Sequence, residues 1–554
     1  MLSLSARLRP MLRVETVVLV VIAWLVATMN GAWWGGAGAG REWTDPANWL
    51  FVAACFVAIV ALHFVLLAPF ANRWTVRPLL TLVIISSATI AHFMRNYSVM
   101  MDPTMIQNIL KTDVREAREF ISWSMLGWVL LWSAVPLAFI WWVRIERGPW
   151  LRSFAIRVGT VAGALVIAVL SVLLISRDIT SLMRNHRELR YLITPGNVIV
   201  GLISRSLHSV RDADVPREPV GTDARVVRPA ASEKPRVFIL VVGETARAAN
   251  FSLLGYDRPT TPELAKLGVI GFTGVTSCGT STEVSVPCMF SQFGRADYSE
   301  RRIRNSEGLL DVLARAGYAV KWFDNQSGCK RVCSGAGIEY QKIDPKTEAD
   351  LCTADECFDD VLVRRVEAEL ATVRTSTVIV LHMMGNHGPA YHRRYPPAFR
   401  RFMPDCETAE LRSCSREQVV NAYDNAILYT DHVLAGILRA LAGASSLDTA
   451  LLYVSDHGES LGENDLYLHG LPYSIAPRTQ THVPMIAWLS PGFAADSFVD
   501  EGCVREKAGD KLSHDNLFHS VLGVLDVQTR VYKAERDIFA TCRRASKSSL
   551  AKAG

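Results

Sequence analysis

Apolar residues are concentrated in the first third of the chain, in five stretches at about residues 16–34, 49–68, 77–94, 124–143 and 155–175. Each approaches the roughly 20 residues that a helix needs to cross a bilayer, so five membrane spans are predicted. The first stretch could pass for a signal peptide, but it lacks a small-residue cleavage site and four more spans follow it. Between the third and fourth spans the pattern changes to helical spacing. Asp102-Pro103 suits an N-cap and first turn, and Met105, Ile106, Ile109 and Leu110 repeat as an apolar side. Asn108, Thr112 and Glu116 recur every four residues and share a polar face. An amphipathic helix over about 103–121 at the membrane surface is expected.

From about residue 236 the apolar runs shorten. Val237-Phe238-Ile239-Leu240-Val241-Val242, Thr377-Val378-Ile379-Val380-Leu381 and Ala450-Leu451-Leu452-Tyr453-Val454 are β-branched and continuously apolar. Such runs suit strands buried on both faces of a mostly parallel sheet. Helical stretches near 306–315 and 418–441 alternate with them. The predicted organisation is a five-span membrane domain over 1–175, a bridging helix and proline-bearing linker over 176–235, an α/β layered domain over 236–545, and a tail over 546–554.

Charge orients the spans. Arg7, Arg9 and Arg13 precede the first, Arg73 and Arg77 fall at the second turn, and Arg144, Arg147, Arg152 and Arg157 crowd the fourth. Basic flanks mark the cytoplasmic side, and an odd number of crossings then places the large C-terminal domain outside the cytoplasm. Arg41, Arg95, Lys111, Arg115 and Arg118 run against this bias without reversing it. The net charge of +5 reflects these flanks and carries no nucleic-acid signal. Ten of the eleven cysteines lie after residue 270, an even set that suits disulfides in an oxidising compartment. Near neighbours are Cys278 with Cys288, Cys329 with Cys333, Cys352 with Cys357 and Cys406 with Cys414, which leaves Cys503 and Cys542 for a long-range pair. A zinc cluster over Cys329–Cys357 fits less well, because its spacing is not that of a structural zinc site.

In open α/β sheets the chemistry collects beyond the carboxyl ends of the strands. One strand here runs into Glu244, and another into Asp456 and His457. Thr280 stands in Ser277-Cys278-Gly279-Thr280-Ser281-Thr282-Glu283, which reads as a helix start whose unpaired N–H groups favour a phosphate. A lone threonine there would be a cap. With two carboxylates and an imidazole it completes a four-ligand set suited to zinc. One ion is expected, and a second could be held by His387 and His469. A bound cation lowers the cost of a threonine alkoxide, so Thr280 becomes a candidate nucleophile for phosphoryl transfer. His387, His469 and Lys330 are candidates for charge stabilisation and leaving-group protonation. His382 and His392 read as strand-end and loop histidines, and His63 and His92 as packing residues within the spans. Arg393, Arg394, Arg400 and Arg401 read as a solvated basic loop that could meet an anionic acceptor.

The motifs VVGETAR, SCGTSTEVSVPCMF, DNQSGCKRVC, HMMGNHGPAYHRRYP and YVSDHGESLGE together resemble the lipid phosphoethanolamine transferases of the alkaline phosphatase and sulfatase superfamily. The resemblance covers nearly the whole chain. It implies Glu244, Thr280, Asp456 and His457 as zinc ligands, with Thr280 as nucleophile. It also implies Asn108, Thr112, Glu116, Ser327, Lys330, His387 and His469 around the phosphoethanolamine group. One departure is Arg331-Val332, where relatives often carry glycine after the lysine.

The resemblance further implies an inner-membrane enzyme of bacteria, monomeric, with its catalytic domain in the periplasm. Its donor would be phosphatidylethanolamine and its acceptor a phosphate of lipid A. Lower surface negative charge and resistance to cationic peptides such as polymyxin would follow. Other readings are an inner-core sugar or another envelope glycan as acceptor, a phosphoglycerol transferase or phosphatase on the same scaffold, and, more distantly, an envelope protein that only binds a partner.

Overall fold

A computed structural model describes residues 9–112, 114–212, 216–227, 234–353 and 356–544, so the expected tail lies outside the described residues. The chain forms two compact units. One comprises Met1–Leu110 with Ile121–Ser209, and the other Lys111–Phe120 with Val210–Gly554.

The first unit is helical: α1 Val14–Thr28, α2 Gly31–Gly38, α3 Pro46–Leu67, α4 Val76–Tyr97 and, beyond two short helices, α7 Trp123–Trp142 and α8 Trp150–Leu174. Four of these meet the length and hydropathy of a membrane span. The stretch expected as a first continuous span is instead broken, with α1 and α2 meeting at a 60° bend. Asn30 accounts for the break. Its amide donates to the carbonyls of Leu25 and Thr194, and its oxygen accepts from the Thr194 N–H at 2.7 Å. A side chain that satisfies backbone groups in this way competes with helix continuation. The single helix expected over 103–121 is also divided, into α5 Pro103–Lys111 and α6 Val114–Glu119. Asp102 does accept from the Met105 N–H as an N-cap should. Residues from Lys111 to Phe120 group with the second unit. Helices α9 Ser176–Asn185 and α10 Gly196–Asp212 follow the last span.

The second unit is built on a seven-stranded sheet. In chain order its strands are β1 Arg236–Gly243, β2 Ile270–Phe272, β3 Ala319–Asp324, β4 Ile338–Lys342, β5 Thr377–His382, β6 Asp448–Ser455 and β7 Met485–Leu489. In space they run β2-β7-β6-β1-β5-β3-β4. Strands β6, β1, β5, β3 and β4 are parallel, and β7 runs antiparallel to both β6 and β2. Strands β1, β5 and β6 are buried throughout, as their unbroken apolar runs require. Helices Leu309–Arg315 and Leu517–Val524 pack with Phe238, Leu240 and Val242 of β1 on one face. Helices α13 Asp360–Thr372 and α14 Arg416–Gly443 cover the other. By length and composition α14 could cross a membrane, but it buries Asn421, Asp424, Asn425 and Asp431 inside this unit. Asp431 accepts from the Glu263 and Leu264 N–H groups of α11, Pro262–Lys266, so α14 is a core helix.

All five expected cysteine pairs are disulfides, and Cys55 is left unpaired and buried. At the start of β1, Arg236 is fully buried and pairs with Asp496 and, at 2.7 Å, with Asp526. Replacing it leaves two acids without their cation. Arg236→Met should cost about 3–5 kcal/mol in denaturant unfolding of the detergent-solubilised protein; a loss under about 1 kcal/mol would show that the acids find other partners.

Candidate active site and metal centre

Strand register builds the site. Ser455 pairs with Gly243, Val242 with His382, and His382 with Asp324, so the carboxyl ends of β6, β1, β5 and β3 stand side by side. The residues just past these ends are Glu244 and Asp456-His457, all three fully buried. One ligand atom from each lies within 4.8 Å of the others. Thr245 adopts φ +57°, a left-handed conformation unfavourable for a β-branched residue, and its N–H then reaches Asp456 Oδ1 at 3.1 Å. Gly385 is required on similar grounds. Its φ is +54°, and a Cβ there would stand 2.8 Å from the Glu244 carbonyl oxygen.

The hydrogen bonds leave a particular set of lone pairs over. His457 Nδ1 faces the Gly458 carbonyl at 2.9 Å, so it carries the proton and Nε2 presents its lone pair. That lone pair points at Glu244 Oε1 and Asp456 Oδ2, each 3.4 Å away. Asp456 Oδ1 accepts from the Thr245 and His457 N–H groups, whereas its Oδ2 is buried with no hydrogen-bond partner among the described residues. Glu244 Oε2 accepts from Gln326 Nε2 at 2.8 Å and from Thr282 Oγ1 at 3.1 Å. Burial and the neighbouring Glu244 carboxylate push the Asp456 pKa up. Burial acts upward on Glu244 too, and it is drawn down when the His457 and His387 imidazoles carry protons. Two buried carboxylates and an imidazole lone pair converging on one point form a donor set for a divalent cation. The oxygen and nitrogen ligands suit zinc.

Thr280 lies just before the N-cap Ser281 of α12, Thr282–Met289. It is 6% exposed, and its hydroxyl donates to the Leu471 carbonyl at 2.7 Å. The Thr280 carbonyl in turn accepts from the Gly470 N–H at 2.8 Å, which fastens the threonine to the loop that carries His469. The hydroxyl on the Glu244 and His457 pair is that of Thr282, 3.3 Å from His457 Nε2. His469 lies 4.2 Å from His457, centroid to centroid, with the rings tilted by 44°, and His387 lies 6.2 Å from His469. Burial works against a charged His469, but the Glu459 carboxylate 3.4 Å from its Nδ1 outweighs it and raises the pKa. Lys330 Nζ donates to Ser327 Oγ at 2.7 Å, in the loop where Gln326 reaches Glu244.

Glu244, Asp456, His457, His387 and His469 therefore come together, with Thr280 tied to the same loops. Asn108 lies on α5 in the first unit, half-buried, and Thr112 stands where that helix has ended. Glu116 is on α6, and its side chain falls outside the described residues. Sequence reasoning missed Thr282, Gln326 and Glu459. It also missed His514, whose Nδ1 accepts from the Cys278 N–H at 3.1 Å and whose Nε2 meets the Ser455 carbonyl at 2.9 Å. His514 thus links the loop before Thr280 to the strand that leads into Asp456. Of the histidines read as structural, His382 bonds Asp324 at 2.8 Å and His63 accepts from the Gly196 N–H at 2.9 Å.

Comparison with known proteins follows this division of the chain. The Sulfatase family model matches residues 236–527, and the model described as Phosphoethanolamine transferase EptA/EptB matches residues 59–209. Phosphoethanolamine transferase EptA of Escherichia coli K12 is 41% identical over 503 residues, covering 90% of this chain and 91% of that protein. Phosphatidylethanolamine transferase Mcr-1 of Escherichia coli is 35% identical, covering 82% of this chain and 84% of its own length. The integral membrane lipooligosaccharide phosphoethanolamine transferase A of Neisseria meningitidis superposes with a TM-score of 0.90 at 34% identity, covering 97% of this chain and all of that one.

The donor set makes a direct prediction. Zinc added to chelator-treated protein at a hundred times its Kd should stabilise it by about 2.7 kcal/mol, read as a rise in thermal midpoint. Asp456→Asn should abolish the rise. A variant that still responds fully would place the ion elsewhere.

Proposed function

We infer the reaction from one premise: the chain belongs to the phosphoethanolamine transferase family, within the sulfatase superfamily. It is a membrane protein with an alkaline phosphatase-like catalytic domain. The observation that carries the finer reading is the buried convergence of Glu244, Asp456 and His457 beside the helix start that holds Thr280.

The protein takes phosphoethanolamine from phosphatidylethanolamine, holds it on Thr280, and passes it to a phosphate of lipid A or a closely related envelope glycolipid. Names borne by relatives support both ends, phosphatidylethanolamine for Mcr-1 and lipooligosaccharide for the Neisseria enzyme. Glu244, Asp456, His457 and Thr280 would hold a zinc ion, and a bound zinc lowers the cost of ionising a hydroxyl and polarises a phosphoryl oxygen. Thr280 leaves the Leu471 carbonyl, its hydroxyl proton passes to solvent, and its oxygen forms a bond to phosphorus. The bond from phosphorus to the glycerol oxygen breaks, and the departing diacylglycerol takes a proton from His469, whose pKa Glu459 raises. His387 and Lys330 stand for the charge that develops on the phosphoryl oxygens. In the second half an acceptor phosphate oxygen attacks the phosphothreonine, the bond from phosphorus to the Thr280 oxygen breaks, and Thr280 and His469 each take up a proton from solvent. Ser327, Lys330, Thr112 and Glu116, all of the second unit, contact the donor headgroup.

Basic flanks on the first and fourth spans and five disulfides in the catalytic unit support an inner-membrane protein facing the periplasm. Each transfer adds an ammonium to an anionic lipid, so cell-surface negative charge falls and cationic peptides such as polymyxin bind less.

Thr280→Ala should lower lipid modification by a factor of about 10⁴ or more, as loss of a nucleophile does. Peptide mass spectrometry of wild type quenched with phosphatidylethanolamine alone should find the headgroup on Thr280. Headgroup mass on Thr282, or undiminished turnover by Thr280→Ala, would refute the assignment.

A further inference from the structure

Residues Lys111–Phe120 lie between two membrane spans in sequence, yet they group in space with the catalytic unit. Ion pairs hold both ends of this strap, and each reaches a different catalytic element. At the first end, Lys111 Nζ stands 3.0 Å from Glu283 Oε1. Glu283 is in the first turn of α12, three residues past Thr280, and is 6% exposed. Arg304 holds the same carboxylate at 2.7 Å and the Glu283 carbonyl at 2.9 Å. At the second end, Glu119 pairs with Arg394, and both side chains are almost wholly buried. Arg394 also pairs with Glu356 at 3.0 Å, and its Nε donates to the carbonyl of His387 at 2.8 Å.

The two contacts differ in weight. A buried carboxylate and a buried guanidinium persist only as a hydrogen-bonded pair, so Glu119 and Arg394 fix one end firmly. Lys111 is half exposed, and a pair of that kind contributes little to stability. Its partner, however, is buried and already fixed by Arg304, so Lys111 sets direction more than strength. The arginine expected to lie in a solvated basic loop is thereby a buried anchor. Between the two ends lie Thr112 and Glu116, two of the positions assigned to the donor headgroup.

We propose that Lys111 and Glu119 are positioning residues that hold the 111–120 strap in register with the nucleophile helix and the His387 loop, and so set selectivity for phosphodiesters that carry a primary ammonium. The proposal rests on the phosphoethanolamine reading and deepens it. The strap acts on where the headgroup sits; bond making at phosphorus stays with Thr280 and its neighbours.

Two soluble diesters with the same p-nitrophenyl leaving group test this in the full-length, zinc-loaded protein in detergent. One carries a 2-aminoethyl group and the other an ethyl group. Wild type should favour the aminoethyl ester. Lys111→Ala and Glu119→Ala should each reduce that preference roughly tenfold to a hundredfold, the cost of misplacing a bound group by about an ångström. kcat/KM on the ethyl ester and zinc content should stay at wild-type levels, and Lys111→Arg should keep the preference. An undiminished preference in both alanine variants overturns the proposal, as does an equal loss on both esters. A wild type that favours neither ester overturns the headgroup reading, and the strap's role with it.

Discussion

Two carboxylates buried side by side are the constraint around which the catalytic unit is built. Glu244 and Asp456 follow the ends of adjacent parallel strands and are fully removed from water. Leaving both ionised there without a cation is costly, because each must shed its hydration while repelling the other. Much of the surrounding structure reads as a response to that cost. The Thr245 and His457 N–H groups take one oxygen of Asp456, and Gln326 and Thr282 take one of Glu244. What remains unsatisfied points inward at a single place, where a divalent ion can complete it. The left-handed Thr245 and the close passage of Gly385 are local backbone features that hold this geometry.

The same constraint relates the fold to the reaction. In the proposed reaction a threonine hydroxyl, weak as a nucleophile on its own, has to be brought to a charged centre by elements distant in sequence. His514 bonds both the loop before Thr280 and the strand before Asp456, and the Gly470 N–H fastens Thr280 to the His469 loop. Five disulfides brace the loops of this unit, one of them across the start of α12 from Cys278 to Cys288. Such bonds persist in an oxidising compartment.

Legibility in the sequence followed the range of the interactions. The unbroken apolar runs of β1, β5 and β6 announce buried parallel strands, and Glu244, Asp456 and His457 are found by looking just past their ends. Where a long-range partner decides the local structure, pattern reading falls short. Asn30 breaks the first span by bonding Thr194, and no composition signal marks it. The 103–121 helix divides where Lys111 and Glu119 find separate partners in the catalytic unit. Helix α14 satisfies the hydropathy of a span while serving as a core helix, because its buried Asp431 accepts from backbone groups elsewhere in the chain. Gln326 and His514 escaped for the same reason, since each acquires its role from a contact across the fold, and Glu459 because only the local turn of the chain brings His469 back to it.

The central claim is that one side chain carries the headgroup between two lipids, and stereochemistry at phosphorus tests it most directly. Each in-line displacement inverts the phosphorus centre, so transfer through Thr280 needs two inversions. A donor made chiral at phosphorus with sulfur and oxygen isotopes should therefore give a glycolipid product with net retention. Net inversion would mean direct transfer from donor to acceptor, and would contradict the account.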